Sequence, residues 1–333
     1  MLDLARYNAD EAMTSEPHSC SLKVDVDTHE GMRDGVPCLL ETFKVFGVQA
    51  TFYLSFGPDN AGKAIWNLFR RKGFLKKMIR TGAINTYGWR TTLSGTLLPA
   101  RMIAKNFPDL VRRIRDEGHE IGVHAWDHRL WQDHLERLSR LEIAGQFARA
   151  FDAFEEILGE RAETVASPAW YSTRTSLEVE DALSVLYASD TRGGPPCFVE
   201  YDGTCLRTLQ IPTTQPCLEE LLTLGRRDVE SNVETVLTAS SASPYLVVPL
   251  HAEVEGGAQR SFLVALLERL HDRGLQVRPL RDLAKQALSA PERPPTLNAY
   301  LREIPGRTGR VLTCAPPEWT DSSPNRAQLH SKG

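Results

Sequence analysis

Five side chains in this sequence could do chemistry together: Asp25, Asp27, His124, His128 and His251. The two aspartates end an alternating β-branched run that reads as a strand entering a polar loop. Side chains two apart on a strand share a face. The carboxylates would then stand side by side, and such a pair repels unless a cation or a shared proton compensates. His124-Ala-Trp-Asp-His128 puts two imidazoles four residues apart, a spacing that suits two ligands to one divalent ion. Two histidines and one carboxylate leave positions open for water and substrate, as a catalytic site requires. Zn suits this donor set, as do Mn, Co and Ni. An ion held there would lower the pKa of water toward about 7 and polarise a carbonyl. The carboxylate left unliganded could serve as general base. His251 closes the most apolar run of the chain, and a histidine at a strand end can protonate a leaving amine near neutral pH. Base, ion and acid on separate strands suit hydrolysis of an amide.

Such a site needs several strand ends brought together. The hydrophobic pattern predicts a strand at 21–27, an amphipathic helix at 34–46 closed by Gly47, and a buried strand at 49–55. That is a βαβ unit, which implies parallel pairing. Further strands are predicted at 119–124, 165–170, 186–191, 206–212, 244–251 and near 277. Helices are predicted at 109–117, 138–158, 177–186, 228–237, 262–271 and 280–288. This alternation, with no Gly-x-Gly-x-x-Gly or Walker loop, argues for an α/β barrel over a nucleotide-binding sheet. Asp25, Asp27, His124, His128, Asp190 and His251 all fall where strands end, the end that carries the chemistry in such barrels.

The 333 residues, 41% apolar and 25% charged, suffice for one large barrel or two ordinary domains. A net charge of −4 predicts no nucleic-acid role. Six cysteines without a C-x-x-C spacing argue against a zinc finger and for a reducing compartment. Residues 1–20 read as a flexible leader without the apolar core of a signal peptide. No run of about 18 apolar residues predicts a membrane span. The expected location is the cytoplasm, free or on the membrane surface.

Residues 21–290 should form the barrel. Within it, 60–108 is an insert with no Asp or Glu. Its Arg70, Arg71, Lys72, Lys76, Lys77 and Arg80 alternate with apolar and aromatic residues. Two short basic amphipathic helices that meet an anionic membrane surface or a phosphate headgroup are expected there. Residues 291–333, rich in Pro, Arg and Ser, should form a largely irregular C-terminal extension.

Asp25-Val-Asp27, His124-x-x-x-His128 and Leu250-His251 resemble the motifs of NodB-type polysaccharide deacetylases, carbohydrate esterase family four. The resemblance covers about residues 21–290. It implies a distorted (β/α)7 barrel, Asp25 as base, Asp27, His124 and His128 as ligands of one divalent metal, and His251 as acid. Further stretches, among them 57–60, 87–89, 189–193, 210–212 and 251–256, are similar to the deformylase branch of that family. That branch removes a formyl group from an amino sugar carried on undecaprenyl phosphate, in lipid A modification. An N-deacetylase of another lipid- or nucleotide-linked sugar is the nearest alternative, and a non-catalytic lipid-sugar binding protein is the alternative of another class. The family's Arg-x-Pro-aromatic motif is absent: Ala166-Ser-Pro168-Ala-Trp170 stands in its place. Arg192 is the candidate to replace that arginine beside the base, and Asp190 the candidate to hold His251. Glu253 and Glu255 are expected to contact sugar hydroxyls or the new amine. Asp59, Asn60 and Trp89 are expected to line the pocket.

Overall fold

The computed structural model describes residues 19–60, 100–238 and 245–314. In chain order the first half contains β1 (Ser19–Val26), α1 (Val36–Phe46), β2 (Thr51–Ser55), α2 (Pro108–Asp116), β3 (Glu120–Ala125), α3 (His128–His134), α4 (Arg140–Leu158) and β4 (Thr164–Val165). Next come α5 (Arg174–Asp181), β5 (Tyr187–Ala188), β6 (Phe198–Tyr201), β7 (Thr204–Cys205), β8 (Leu209–Gln210), α6 (Leu218–Thr223) and α7 (Val229–Thr238). The chain continues with β9 (Leu246–His251), α8 (Arg260–Asp272), β10 (Gln276–Val277), α9 (Leu280–Ser289), β11 (Thr296–Asn298), β12 (Tyr300–Glu303) and β13 (Arg310–Thr313).

Seven parallel strands curl into the distorted barrel expected from the sequence, in the order β9-β1-β2-β3-β4-β5-β8. β10 joins the start of β1. β8 and β9 do not pair with each other. Thr214 spans that gap: its backbone N–H donates to Val247 O at 3.2 Å, and its Oγ1 accepts from Val247 N at 2.9 Å. β1 lies between β2 and β9, with Asp25 in register with both Tyr53 and His251.

Strand alternation divides the core in two. Leu22, Val24 and Val26 of β1, with Phe52 and Leu54 of β2, pack outward against Leu39, Leu40 and Phe43 of α1 and the other helices. Tyr53, Tyr187, Leu209 and Val247 belong to a second cluster with Leu280, Leu283, Ala284 and Ala287 of α9. α9 closes the floor. The N–H groups of Leu280 and Arg281 donate to Thr51 Oγ1 (2.8 Å) and Glu120 Oε2 (2.9 Å), at the starts of β2 and β3. These side chains satisfy helix-terminal donors that have no partner inside the helix. The opposite, C-terminal end of the strands is left open for the loops.

Two of those loops meet backbone to backbone. A Cβ on Gly35 would lie 2.0 Å from Ala252 O, and one on Gly256 would lie 2.6 Å from Gly35 O. Only glycine permits this approach. It locks the segment after β1 to the segment after β9, and so fixes Asp27 relative to His251.

Several expectations need correction. The predicted strand at 165–170 ends at Val165; Ser167 onward is a tight turn in which Ala169 (φ 58°) and Trp170 (φ 51°) take left-handed backbone. β6, β7 and α6 were not anticipated. In the described part of the C-terminal extension, up to residue 314, β11 pairs with β6, β12 pairs with β13, and Thr313 bridges Arg192. Pairing of this kind uses backbone groups and needs no apolar periodicity. The expectations for Arg70, Arg71, Lys72, Lys76, Lys77, Arg80 and Trp89, and for the leader before residue 19, lie outside the described residues. Among the described residues, no helix is long and apolar enough to cross a membrane.

Candidate active site

Asp27, His124 and His128 converge. Their donor atoms all lie within 4.8 Å of one another. His124 Nε2 stands 3.2 Å from Asp27 Oδ1, and His128 Nε2 stands 3.2 Å from Asp27 Oδ2. β3 delivers His124 to the open end. Its Nδ1 lies 2.8 Å from Ala166 O. A carbonyl only accepts, so Nδ1 carries the proton and the lone pair of the neutral ring is on Nε2, toward Asp27. His128 opens α3, and the turn between the two histidines is pinned at Asp127. Asp127 Oδ1 caps the helix by accepting from Leu130 N (3.0 Å), while its Oδ2 accepts from Asn60 Nδ2 (2.8 Å).

These residues fit a divalent ion. Ligand bonds of about 2.0–2.2 Å place neighbouring donors roughly 2.8–3.6 Å apart across octahedral and tetrahedral centres, and both Asp27–imidazole distances, 3.2 Å, fall in that range. Asp27 Oδ1 and His124 Nε2 are buried and make no hydrogen bond. Buried polar atoms are rarely left so, and here they face a common point. Burial works against a charge on Asp27, but the two imidazoles outweigh it and hold its carboxyl well below the usual carboxylate range. Burial likewise opposes protonation of His124, but the charges of Asp25 and Asp27 outweigh it and raise the imidazole above its usual value. Protons therefore compete with a metal as pH falls.

Asp25 is 3% exposed and belongs to neither of the candidate ligand groups. Its Oδ1 has no hydrogen-bond partner. Among the described residues its ion-pair partner is Lys23, two residues earlier on the same face of β1, with Nζ 3.8 Å from Asp25 Oδ2. Lys23 was not singled out by its sequence context.

His251 ends β9 in the same row as Asp25. Its Nδ1 stands 3.0 Å from Glu219 Oε1. Burial disfavours the imidazolium, but Glu219, aided by Asp27 and Asp25, overcomes it and raises His251 well above its ordinary value. Glu219 lies on α6, a helix too short for its periodicity to stand out. Asp190 was expected to hold His251 and does not. It accepts from Ser167 N (2.6 Å) and Gln210 Nε2 (2.9 Å) instead. Arg192 does not reach the base either. It makes a bidentate pair with Glu220 (2.8 and 3.1 Å) and stacks over Trp170. Glu255 is fully buried and accepts from the backbone N–H of His251 (2.8 Å), so it braces the acid and offers nothing to a sugar. Burial and Glu219's charge push its carboxyl up to about 8. Glu253 sits over Gly31, where a Cβ would come within 2.4 Å of its Oε2; burial and Asp27's charge raise it well above the usual value. Asp59 and Asn60 are buried braces: Asp59 Oδ2 accepts from His29 N (3.0 Å), and Asn60 holds Asp127.

A carboxylate on β1, a three-donor cage drawn from the residue after β1, from β3 and from α3, and an imidazole at the end of β9 thus meet at the open end of the strands. This arrangement can take a proton from water, hold a divalent ion and return a proton to a leaving group.

The family model described as polysaccharide deacetylase matches residues 14–188. A protein of Shewanella sediminis (strain HAW-EB3), named "Probable 4-deoxy-4-formamido-L-arabinose-phosphoundecaprenol deformylase ArnD", is 33% identical over 262 residues, covering 79% of this chain and 84% of that protein. A protein of the same name from Wigglesworthia glossinidia brevipalpis is 29% identical over 282 residues, covering 84% of this chain and 97% of that protein. A crystal structure of a polysaccharide deacetylase homologue from Mycobacterium smegmatis superposes with a TM-score of 0.58 at 16% identity, over 86% of this chain and 96% of that one. This last likeness concerns the fold alone.

Proposed function

Because this chain belongs to the polysaccharide deacetylase family, we propose that it removes the formyl group from 4-deoxy-4-formamido-L-arabinose linked to undecaprenyl phosphate. The coarser activity is that of its family: hydrolysis of a carbon–nitrogen bond in a linear amide, as a deformylase or deacetylase. The choice of substrate rests on the names of the two curated relatives. The observation that carries the chemistry is the Asp27–His124–His128 cage beside a separate buried carboxylate, Asp25.

Asp27, His124 and His128 would hold one divalent ion, Zn or Mn, Co or Ni. When bound, such an ion supplies Lewis acidity, lowering the pKa of water and drawing electron density from a carbonyl. Asp25 takes a proton from the water that attacks the formyl carbon. His251, kept protonated by Glu219, gives a proton to the sugar nitrogen as the C–N bond breaks. Formate and a free amine leave. The basic stretch around Arg70 to Arg80 supports meeting this lipid-linked anion at the inner face of the inner membrane.

Metal-loaded protein given formylated and acetylated forms of the lipid-sugar in anionic vesicles should release formate and little acetate. Acetate as the main product would make it an N-deacetylase. Binding of either substrate without product would make it a non-catalytic binder. Glu219→Gln supplies a second check. Without the glutamate's charge the folded-state pKa of His251 falls, so its acid form is lost sooner as pH rises. The basic limb of the pH–rate profile should move down by about 1–3 pH units, and a limb that stays in place would contradict the role of His251 as acid.

A further inference from the structure

Lys23 is fully buried. A lysine in such a place is rare unless paired, because burying a charge is costly. Its surroundings account for it. Nζ donates to Ser189 O at 2.8 Å, just past β5 on the far side of the barrel. The ring of Tyr53 lies 5.2 Å away and that of Trp170 4.9 Å away, centroid to Nζ, so two aromatic faces compensate the cation. Trp170 reaches this place through the left-handed backbone of the 168–170 turn, and its Nε1 donates to Thr213 Oγ1 (2.9 Å). Among the described residues, Lys23 is the only cation within 4.0 Å of the Asp25 carboxylate. Arg192, the other cation nearby, is fully engaged by Glu220 and the Gln215 carbonyl.

The distance of 3.8 Å between Lys23 Nζ and Asp25 Oδ2 is that of an ion pair and exceeds a hydrogen bond. Lys23 therefore acts on Asp25 through charge, from a position set by Ser189 and the two rings. The attraction falls on one oxygen of the carboxylate, Oδ2. The other, Oδ1, has no partner and remains for the proton of the attacking water. Strand geometry makes this automatic: Lys23, Asp25 and the segment leading to Asp27 follow the same inward-facing alternation.

We propose that Lys23 is the positioning residue for Asp25, supplying from β1 the cation that the absent arginine of the 166–170 segment does not. This inference rests on Asp25 being the general base, so the two must be tested apart. Lys23→Met fills the space between the rings and removes the charge. It should lower kcat by about 10²-fold, the scale of a misplaced catalytic group, with KM and metal content unchanged. Lys23→Arg should recover kcat to within about tenfold of the native enzyme, and a merely space-filling role would not produce that order. A crystal structure of Lys23→Met should find the Asp25 carboxyl turned from its native rotamer. If Lys23→Met fails to fold, Lys23→Gln keeps a donor for Ser189 O without the charge and carries the same expectations. Native kcat in a folded, uncharged variant, while Asp25→Asn is inactive, would overturn the inference about Lys23. An active Asp25→Asn would instead overturn the reading of Asp25 as base.

Discussion

Asp25→Asn should fold, bind its metal as the native protein does, and turn over about 10²–10⁴-fold more slowly. The substitution is isosteric, and the side chain is buried beside Lys23 in a strand that pairs on both edges. Its hydrogen-bonding shape is kept while its capacity to take a proton is lost. A positioned general base contributes about 10²–10⁴-fold. Metal content, measured on the same preparation, separates loss of the base from loss of the cage. Full metal with no turnover supports the assignment. Full metal with native turnover would require the proton to go elsewhere, and Glu253 is the next carboxyl near Asp27.

Asp27→Ala should behave differently, losing both the metal and the activity. Asp27 is the only carboxylate in the candidate cage, and both histidines face it at 3.2 Å. Its removal leaves two imidazoles and no anionic donor. His124→Ala should lose the metal as well, and it leaves the Ala166 carbonyl without the Nδ1 donor. Dialysis against a chelator should reproduce the loss in the native protein, and divalent ion should restore it there but not in Asp27→Ala. Elemental analysis of the dialysed and reloaded preparations checks this. A variant lacking Asp27 that still retains about one ion per chain would place the metal elsewhere.

The sequence revealed this site unevenly, for physical reasons. Asp25, Asp27, His124, His128 and His251 were legible because each lies at or just past a strand end, and barrel topology brings such ends together whatever the loops do. The strand pattern of β1, β2, β3 and β9 was legible because these strands carry apolar outward faces. Lys23 was not, because a lysine two residues before an aspartate on a strand looks like surface until both neighbours are known to cover it. Glu219 was not, because α6 is only six residues long and its link to His251 crosses from the 218–223 segment to β9. Asp190 and Arg192 stand near the site and were given roles in it. Gln210 and Glu220, from segments 20 and 28 residues away, claim them instead. Strands β11 to β13 hide in a Pro- and Arg-rich stretch, since their pairing is carried by backbone groups.

X-ray diffraction from metal-loaded crystals, with anomalous data collected on both sides of the metal's absorption edge, tests the central claim most directly. The account predicts one anomalous peak per chain, bonded to the carboxylate of Asp27 and to Nε2 of His124 and His128, with the Asp25 carboxylate unbonded beside it. A second group of donors, Cys217, Glu219 and His251, also lies close together in this fold. A sole peak there, or an ion bonded to Asp25 in place of Asp27, would contradict the account.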